Sequence, residues 1–553
     1  MTGLRFATRA RQPGWRPGAL VAVISLWLAT VANWPLWREL VELGVLQGGK
    51  GWAFALSMAV TLVGLHAALL GLLAWPRVFK PAAAVLLLAA AAGAHFMGAY
   101  RIVIDTPMLI NVVQTDVREA TDLLSIRLLA TLLLGGVLPA WWVWRTPVAW
   151  GPVWPRLGRN LVWLMVCVAL VVAAVMASFA AWSSTMRNHK QLRYLINPLN
   201  TVYALGDLAA QPFKRDERTV LPLGRDAALG PLAAASPKPA LLLLVLGETA
   251  RAANFGLNGY ARNTTPELAA LPGLINWRQA TSCGTSTAAS VPCMFSHLGR
   301  EAFGNRRNNH ENLLDVAHHA GMAVLWVDNQ AGCKGVCDRV ASASTASLTD
   351  PQLCHDGECW DEILLQGLQA RIDALPAEKR SKGVLLVMHQ MGSHGPAYNK
   401  RSPPAFKRFV PECTTNVLQD CPREQVLNAY DNTIAYTDHV LAQAVAWLAA
   451  RQAQYDTAML YVSDHGESLG ENNLYLHGLP YSIAPDVQKR VPWITWLSPG
   501  FAHSRQLDAA CLKARADTPV SHDHYFHSVL GLLDVQTSVY QAGMDAYAAC
   551  RSH

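Results

Sequence analysis

Charge is scarce in this chain: Asp, Glu, Lys and Arg make up 15% of its 553 residues, against 52% hydrophobic residues. The scarcity is uneven. Five stretches, 18–35, 52–73, 81–100, 123–144 and 160–182, hold almost no ionisable side chains. Each approaches the ~20 apolar residues that ~30 Å of hydrocarbon requires. Five such runs predict a polytopic anchor, where a cleavable leader would show one run and an early small-residue site. Cysteine is missing from the first 280 residues apart from Cys167, and the ten others all follow. No doubled C-x2-C spacing occurs among them, which speaks against zinc ribbons. No internal repeat of fixed period is present either, so solenoid and propeller folds are set aside.

Lys and Arg orient the apolar runs. Arg5, Arg9, Arg11 and Arg16 precede the first, Arg77 and Lys80 separate the second and third, and Arg145, Arg156 and Arg159 separate the fourth and fifth. The alternate loops carry Arg38, Lys50, Arg101 and Arg118. Nine against four predicts a cytoplasmic N-terminus. Five crossings then put the chain after about residue 183 outside. Cysteines confined to that exterior read as a disulfide set in an oxidising compartment: Cys283, Cys293, Cys333, Cys337, Cys354, Cys359, Cys413, Cys421, Cys511 and Cys550. Short separations favour neighbour pairing without fixing it, and Cys511 with Cys550 is assigned only by exclusion. The formal charge of +7 partly reflects the cytoplasmic loops and tail and gives no case for nucleic acid.

Three regions follow: a five-helix transmembrane domain at 1–182, an exterior connector with surface helices at 183–239, and an exterior catalytic domain at 240–553. In the last, apolar runs such as Leu241–Leu246, Ala323–Val327, Gly383–Met388 and Ala458–Val462 alternate with helix-like stretches. Continuously apolar strands between helices predict an α/β layer fold whose sheet is covered on both faces. Ligands in such folds gather at strand C-termini.

That is where the metal-loving residues fall. Glu248 follows the first exterior strand, although a strand-end Glu could equally cap a helix. Asp464 and His465 stand in Ser463-Asp-His-Gly-Glu467; adjacent strand residues face opposite ways, so both reach one ion only where the chain turns, and Gly466 permits the turn. Thr285 lies in the small-residue stretch Cys283–Cys293, whose amides at a helix start suit phosphate. Two carboxylates, an imidazole and a hydroxyl are what a divalent ion needs to ionise an alcohol nucleophile. His522-Asp-His524-Tyr-Phe-His527 imitates a metal motif, but one helix cannot aim all three residues at one ion, so it reads as structural.

Gly247-Glu-Thr249, Ser282-Cys-Gly-Thr285, Val291-Pro-Cys-Met-Phe295, His389-Gln-Met-Gly-Ser-His394-Gly-Pro396 and Ser463–Glu467 resemble the membrane phosphoethanolamine transferases that modify lipid A. Those enzymes belong to the alkaline phosphatase and sulfatase superfamily. The resemblance implies an N-terminal five-helix transmembrane domain plus an α/β/α periplasmic domain of alkaline phosphatase/sulfatase type. It implies zinc, one ion or two, held by Glu248, Thr285, Asp464 and His465, with Thr285 as nucleophile. His394 and His477 would sit across the reacting phosphate, as substrate ligands or a second metal site, and Asn329 and Lys334 would contact the phosphoethanolamine group. Asn111, Thr115 and Glu119 recur at i, i+4, i+8, one polar face of a short helix, and in the family this face approaches the donor headgroup.

The expected reaction is transfer of phosphoethanolamine from phosphatidylethanolamine to a lipid A phosphate through a phosphothreonine, releasing diacylglycerol at the periplasmic side of a bacterial inner membrane. The added ammonium would weaken binding of cationic peptides such as polymyxin. Transfer to a core sugar or periplasmic glucan, and glycerol-phosphate transfer of the lipoteichoic acid synthase type, are the alternatives.

Overall fold

The computed structural model describes residues 14–115, 117–214, 216–355 and 357–552, without the side chains of 117–119, 212–214, 217 and 218. Arg5, Arg9 and Arg11 of the tail therefore lie outside the described residues, as does the side chain of Glu119. The chain divides into two compact units. One holds the N-terminal chain to Thr106 with Leu124–Leu208; the other holds Pro107–Leu123 with Ala209 to the C-terminus.

The first unit is helical. Helices α1 (Pro17–Thr30) and α2 (Trp34–Glu42) form one apolar pair bent by 42°. Pro35 opens α2 without an N–H to give, and Asn33 Nδ2 donates to Leu28 O at the break (2.7 Å). Four further helices are long and apolar enough to cross a membrane: α3 (Gly48–Leu72), α4 (Phe79–Ala99), α7 (Ile126–Arg145) and α8 (Val153–Ala177). Two short helices, α5 (Thr106–Gln114) and α6 (Val117–Asp122), lie between α4 and α7 in sequence. Helix α8 starts well before residue 160, where the apolar run was expected to begin. Arg156 is absorbed into its first turns because Nη2 folds back onto the Trp150 carbonyl (3.1 Å). The expected connector begins inside α9 (Phe179–Asn188) and continues through α10 (Leu199–Lys214). Its Asn197 does not stay at a surface: the fully buried side-chain amide donates to Ala32 O (2.8 Å) and Ala90 O (2.6 Å), and the main-chain carbonyl of Asn197 meets His66 Nε2 (3.1 Å).

The second unit is built on an eight-stranded sheet. Its strands are β1 (Ala240–Gly247), β2 (Leu274–Thr281), β3 (Ala323–Asp328), β4 (Ala341–Ser344), β5 (Val384–His389), β6 (Asp456–Ser463), β7 (Arg490–Leu497) and β8 (Val520–Ser521), in the order 8-2-7-6-1-5-3-4. The central strands β6, β1, β5 and β3 run parallel, and β7 is antiparallel to both neighbours. All residues of β1, β3, β5 and β6 are buried, which explains their unbroken apolar runs. Helices α11 (Thr287–Met294), α12 (Arg423–Ala449) and α13 (His522–Leu533) also belong to this unit. The parallel strands end in register. Leu246 pairs with both His389 and Val462, His389 pairs with Asp328, and Gly247 pairs with Ser463. The residues that follow each strand are thereby brought side by side at one sheet edge.

Candidate active site

Gly247 and Ser463 are partners, so the next residues, Glu248 and Asp464, emerge together. Glu248, Asp464 and His465 are fully buried and can each offer one atom so that all lie within 4.8 Å of one another. His465 Nε2 is 3.4 Å from Glu248 Oε1 and 3.3 Å from Asp464 Oδ2. Its Nδ1 donates to the Gly466 carbonyl (2.9 Å), which leaves Nε2 facing the carboxylates. Gly466 is required by close packing: an added Cβ would collide with the Val487 carbonyl. Thr249 takes a left-handed conformation (φ 59°) that a β-branched residue rarely adopts. Its N–H donates to Asp464 Oδ1 (3.1 Å), and its carbonyl accepts from Tyr430 OH (2.7 Å). The strain is thus held in place beside the cluster.

The electrostatics call for a cation. Burial opposes charge on Glu248, yet the facing His465 holds its carboxyl well below the usual range. Burial and the neighbouring Glu248 push Asp464 up to about 7. Burial would lower His465, but Asp464 and Glu248 push it up to about 10. Two buried carboxylates share a single imidazole, and Asp464 Oδ2 has no hydrogen-bond donor among the described residues. The donor set of two hard oxygens and one imidazole nitrogen fits a divalent ion.

The hydroxyl that completes this cluster belongs to Thr287, and this corrects the expectation for Thr285. Thr285 Oγ1 donates to the Leu479 carbonyl (2.6 Å). Thr287 Oγ1 donates to Glu248 Oε2 (2.9 Å) and lies 3.5 Å from His465 Nε2. Ser286 is extended (φ −152°, ψ 155°) and Thr287 is the first residue of α11, so the chain changes direction between the two threonines. Thr287 is 4% exposed.

A similar one-residue shift corrects Asn329. Its amide donates to Cys359 O (2.9 Å) and Asp361 Oδ1 (2.8 Å) and accepts from Thr345 Oγ1 (2.5 Å), all away from the cluster. Gln330, which the sequence did not single out, directs Nε2 at Glu248 Oε2 (3.3 Å). Lys334 Nζ rests on the Ala331 (3.1 Å) and Gln114 (3.2 Å) carbonyls. His477 does approach the cluster, its ring 4.2 Å from that of His465 and 6.0 Å from that of His394. His477 Nδ1 meets Glu467 Oε2 (3.2 Å); burial and the nearby His465 push this imidazole down to about 3, and burial pushes the Glu467 carboxyl well up against the pull of His465.

The Asn111/Thr115/Glu119 face is not one helix face. Helix α5 ends at Gln114 and α6 begins at Val117. Thr115 Oγ1 turns back onto the Asn111 carbonyl (2.7 Å), the local hydrogen bond by which Thr competes with helix continuation. The 522–527 histidines serve the backbone. His522 accepts from Cys283 N (3.0 Å) and donates to Ser463 O (3.0 Å), His524 accepts from Ser521 N (3.1 Å), and His527 accepts from Gln541 N (3.2 Å). Disulfides join Cys283–Cys293, Cys333–Cys337, Cys354–Cys359, Cys413–Cys421 and Cys511–Cys550. Cys167 is buried with a free thiol.

A buried carboxylate–imidazole cluster at the strand ends of a mainly parallel α/β sheet, with a hydroxyl at a helix start, defines an enzyme of the alkaline phosphatase and sulfatase type. Residues 240–535 match the family profile "Sulfatase", and residues 62–213 match "Phosphoethanolamine transferase EptA/EptB". The chain is 39% identical over 547 residues to "Phosphoethanolamine transferase EptA" of Salmonella typhimurium, covering 96% of this chain and 97% of that one. It is 37% identical over 533 residues to "Phosphatidylethanolamine transferase Mcr-1" of Escherichia coli, covering 94% and 95%. The membrane-embedded lipooligosaccharide phosphoethanolamine transferase A (EptA) of Neisseria meningitidis superposes with a TM-score of 0.92 at 35% identity, over 98% of this chain and 100% of that one. The chain belongs to the phosphoethanolamine transferase family and is a multi-pass membrane protein with a soluble C-terminal domain.

Proposed function

We propose that this enzyme moves phosphoethanolamine from phosphatidylethanolamine to a phosphate of lipid A, with Thr287 as the nucleophile. Its soluble domain works on the periplasmic side of a bacterial inner membrane. The carrying observation is the Thr287 hydroxyl, which stands at a helix start, donates to Glu248 Oε2 (2.9 Å) and also lies 3.5 Å from His465 Nε2, whereas the Thr249 hydroxyl donates to Glu248 Oε1 (2.5 Å) from a strand end. Glu248, Asp464, His465 and Thr287 would hold zinc, which supplies Lewis acidity toward the phosphate and favours the ionised hydroxyl.

The chain's own groups then have defined tasks. Glu248 Oε2 is placed to receive the Thr287 proton, because it already accepts that hydrogen bond. Thr287 Oγ1 attacks phosphorus, the bond from phosphorus to the diacylglycerol oxygen breaks, and diacylglycerol leaves as an alcohol with the proton taken from Thr287. An oxygen of a lipid A phosphate then attacks the phosphothreonine, and the threonine oxygen leaves with the proton that this phosphate gives up. His394 and His477 face the phosphate from the other side, and Gln330 keeps Glu248 oriented (3.3 Å). Helix α11 contributes its first N–H groups to phosphate oxygens.

Mass spectrometry of lipid A from a host without its own transferases tests the reading. Expression of this chain should add phosphoethanolamine to lipid A phosphate. Unmodified lipid A, with the group on a core sugar or glucan instead, would overturn the acceptor assignment.

A further inference from the structure

The segment Pro107–Leu123 belongs to the second compact unit, although the chain on either side of it in sequence belongs to the first. It is held at three places. Met108 lies against Gly478, the neighbour of His477; a Cβ on Gly478 would come within 2.5 Å of Met108 Cε. Lys334 Nζ reaches the Gln114 carbonyl (3.2 Å). At the end of α6, Asp122 Oδ1 accepts from Lys400 Nζ (2.6 Å) and Oδ2 from Arg401 Nη2 (2.7 Å), and the Asp122 carbonyl accepts from Asn416 Nδ2 (2.5 Å).

The Asp122–Arg401 pair is dry, its side chains 5% and 3% exposed. Arg401 uses its other arms as well. Nη1 donates to Glu358 Oε2 (2.5 Å), and Nε donates to the main-chain carbonyl of His394 (3.0 Å). A planar guanidinium bound in three directions transmits orientation, because turning one arm turns the others. Packing alone does not fix it: a cavity of about 270 Å³ lined by Asp122, Glu358, Gly392, Lys400 and Arg401 lies beside the fork. The two ion pairs and the bond to the His394 carbonyl together keep the guanidinium out of that space, and Asp122 supplies the dry one.

We propose that Asp122 is a positioning residue for the transfer reaction, acting through Arg401 to hold the His394 backbone in register with the cluster. The proposal rests on the reading that His394 faces the reacting phosphate. Loss of the Asp122 charge leaves Arg401 with one carboxylate partner and an adjoining cavity, so His394 shifts.

The test is a double-mutant cycle on the full-length enzyme in phosphatidylethanolamine proteoliposomes, with diacylglycerol release as the readout. Asp122→Asn should lower kcat about tenfold or more, with KM for the lipid changed less than twofold, since a charge-assisted contact is lost away from the lipid. Asp122→Glu, which keeps the charge, should restore kcat to within about threefold of wild type. In a His394→Ala background, Asp122→Asn should have no further effect. Multiplicative losses in the double variant would overturn the relay, as would an undiminished kcat in Asp122→Asn. A loss that tracks a falling Tm and is not rescued by Glu would reduce Asp122 to a structural anchor and also overturn it. A fully active His394→Ala would remove the role of His394 and the relay with it, whereas an impaired His394→Ala with multiplicative losses removes the relay alone.

Discussion

Exchanging the two threonines of the Cys283–Cys293 segment separates the nucleophile from its neighbour. Thr287→Ala removes the hydroxyl 2.9 Å from Glu248 Oε2 and leaves Gln330 Nε2 as that oxygen's donor. The stability cost is one buried hydrogen bond, about 1–3 kcal/mol, which a folded domain of this size survives. The catalytic cost is of another order. Without the attacking oxygen no phosphothreonine forms, and removal of a covalent nucleophile in hydrolases costs about 10⁶ in kcat. Thr285→Ala loses only the contact to the Leu479 carbonyl (2.6 Å), worth about 1 kcal/mol, and should keep activity within about tenfold. The assay is intact-mass and peptide analysis of full-length enzyme given phosphatidylethanolamine without an acceptor. A phosphoethanolamine adduct should map to Thr287, be absent from Thr287→Ala and persist in Thr285→Ala. An adduct on Thr285, or an active Thr287→Ala, would refute the assignment.

Chelation should abolish turnover and zinc should restore it, while His465→Ala should fail to retain metal by elemental analysis; full activity of a metal-free preparation would rule out the proposed cofactor. Removing the Cys283–Cys293 bridge with paired Ser substitutions should lower stability by about 2–5 kcal/mol and slow transfer, because the bridge closes the loop that carries Thr287. Unchanged Tm and rate would show that the loop is ordered without it. Burial would raise Glu311, but the Leu223 N–H, His319 and Arg225 hold its carboxyl at about 2. Its folded value lies below its unfolded one, so the stability it adds is complete above about pH 4.3 and is lost as pH falls toward 2. Glu311→Gln should flatten Tm against pH across that window, and parallel curves for variant and wild type would contradict the argument.

Much of this architecture is written locally. The apolar runs announce the spans because hydrocarbon tolerates little charge, and the buried parallel strands because both faces are covered. The Asp464–His465 pair is legible because only a turn brings adjacent side chains to one point. The nucleophile is not. Thr285 and Thr287 are chemically alike, and what separates them is the helix start at Ser286 together with the distant Leu479 carbonyl that captures one hydroxyl. Asn329 and Gln330 pose the same problem. The parity of the chain leaving β3 depends on Asp361, which claims the Asn329 amide from far along the sequence. Helix α5 stops at Gln114, one residue short of Thr115, where spacing would have continued it.

His522 stands between two parts of the site that the chain brings together from far apart in sequence. One ring nitrogen accepts from the N–H of Cys283, on the loop leading to the proposed nucleophile Thr287, and the other holds the carbonyl of Ser463, the residue before the proposed metal ligands Asp464 and His465. Burial keeps the ring uncharged, its pKa pushed down to about 3, so its bonding pattern stays the same across the working pH range. A rigid aromatic ring of fixed width thereby ties the backbone of the Cys283–Cys293 loop to the end of β6, the two segments that carry the proposed nucleophile and the proposed metal ligands. Asn in its place could offer a donor and an acceptor but not that span. Transplanting the Cys283–Cys293 loop into another sheet of this type would therefore carry over its reactivity only if the spacer were moved with it.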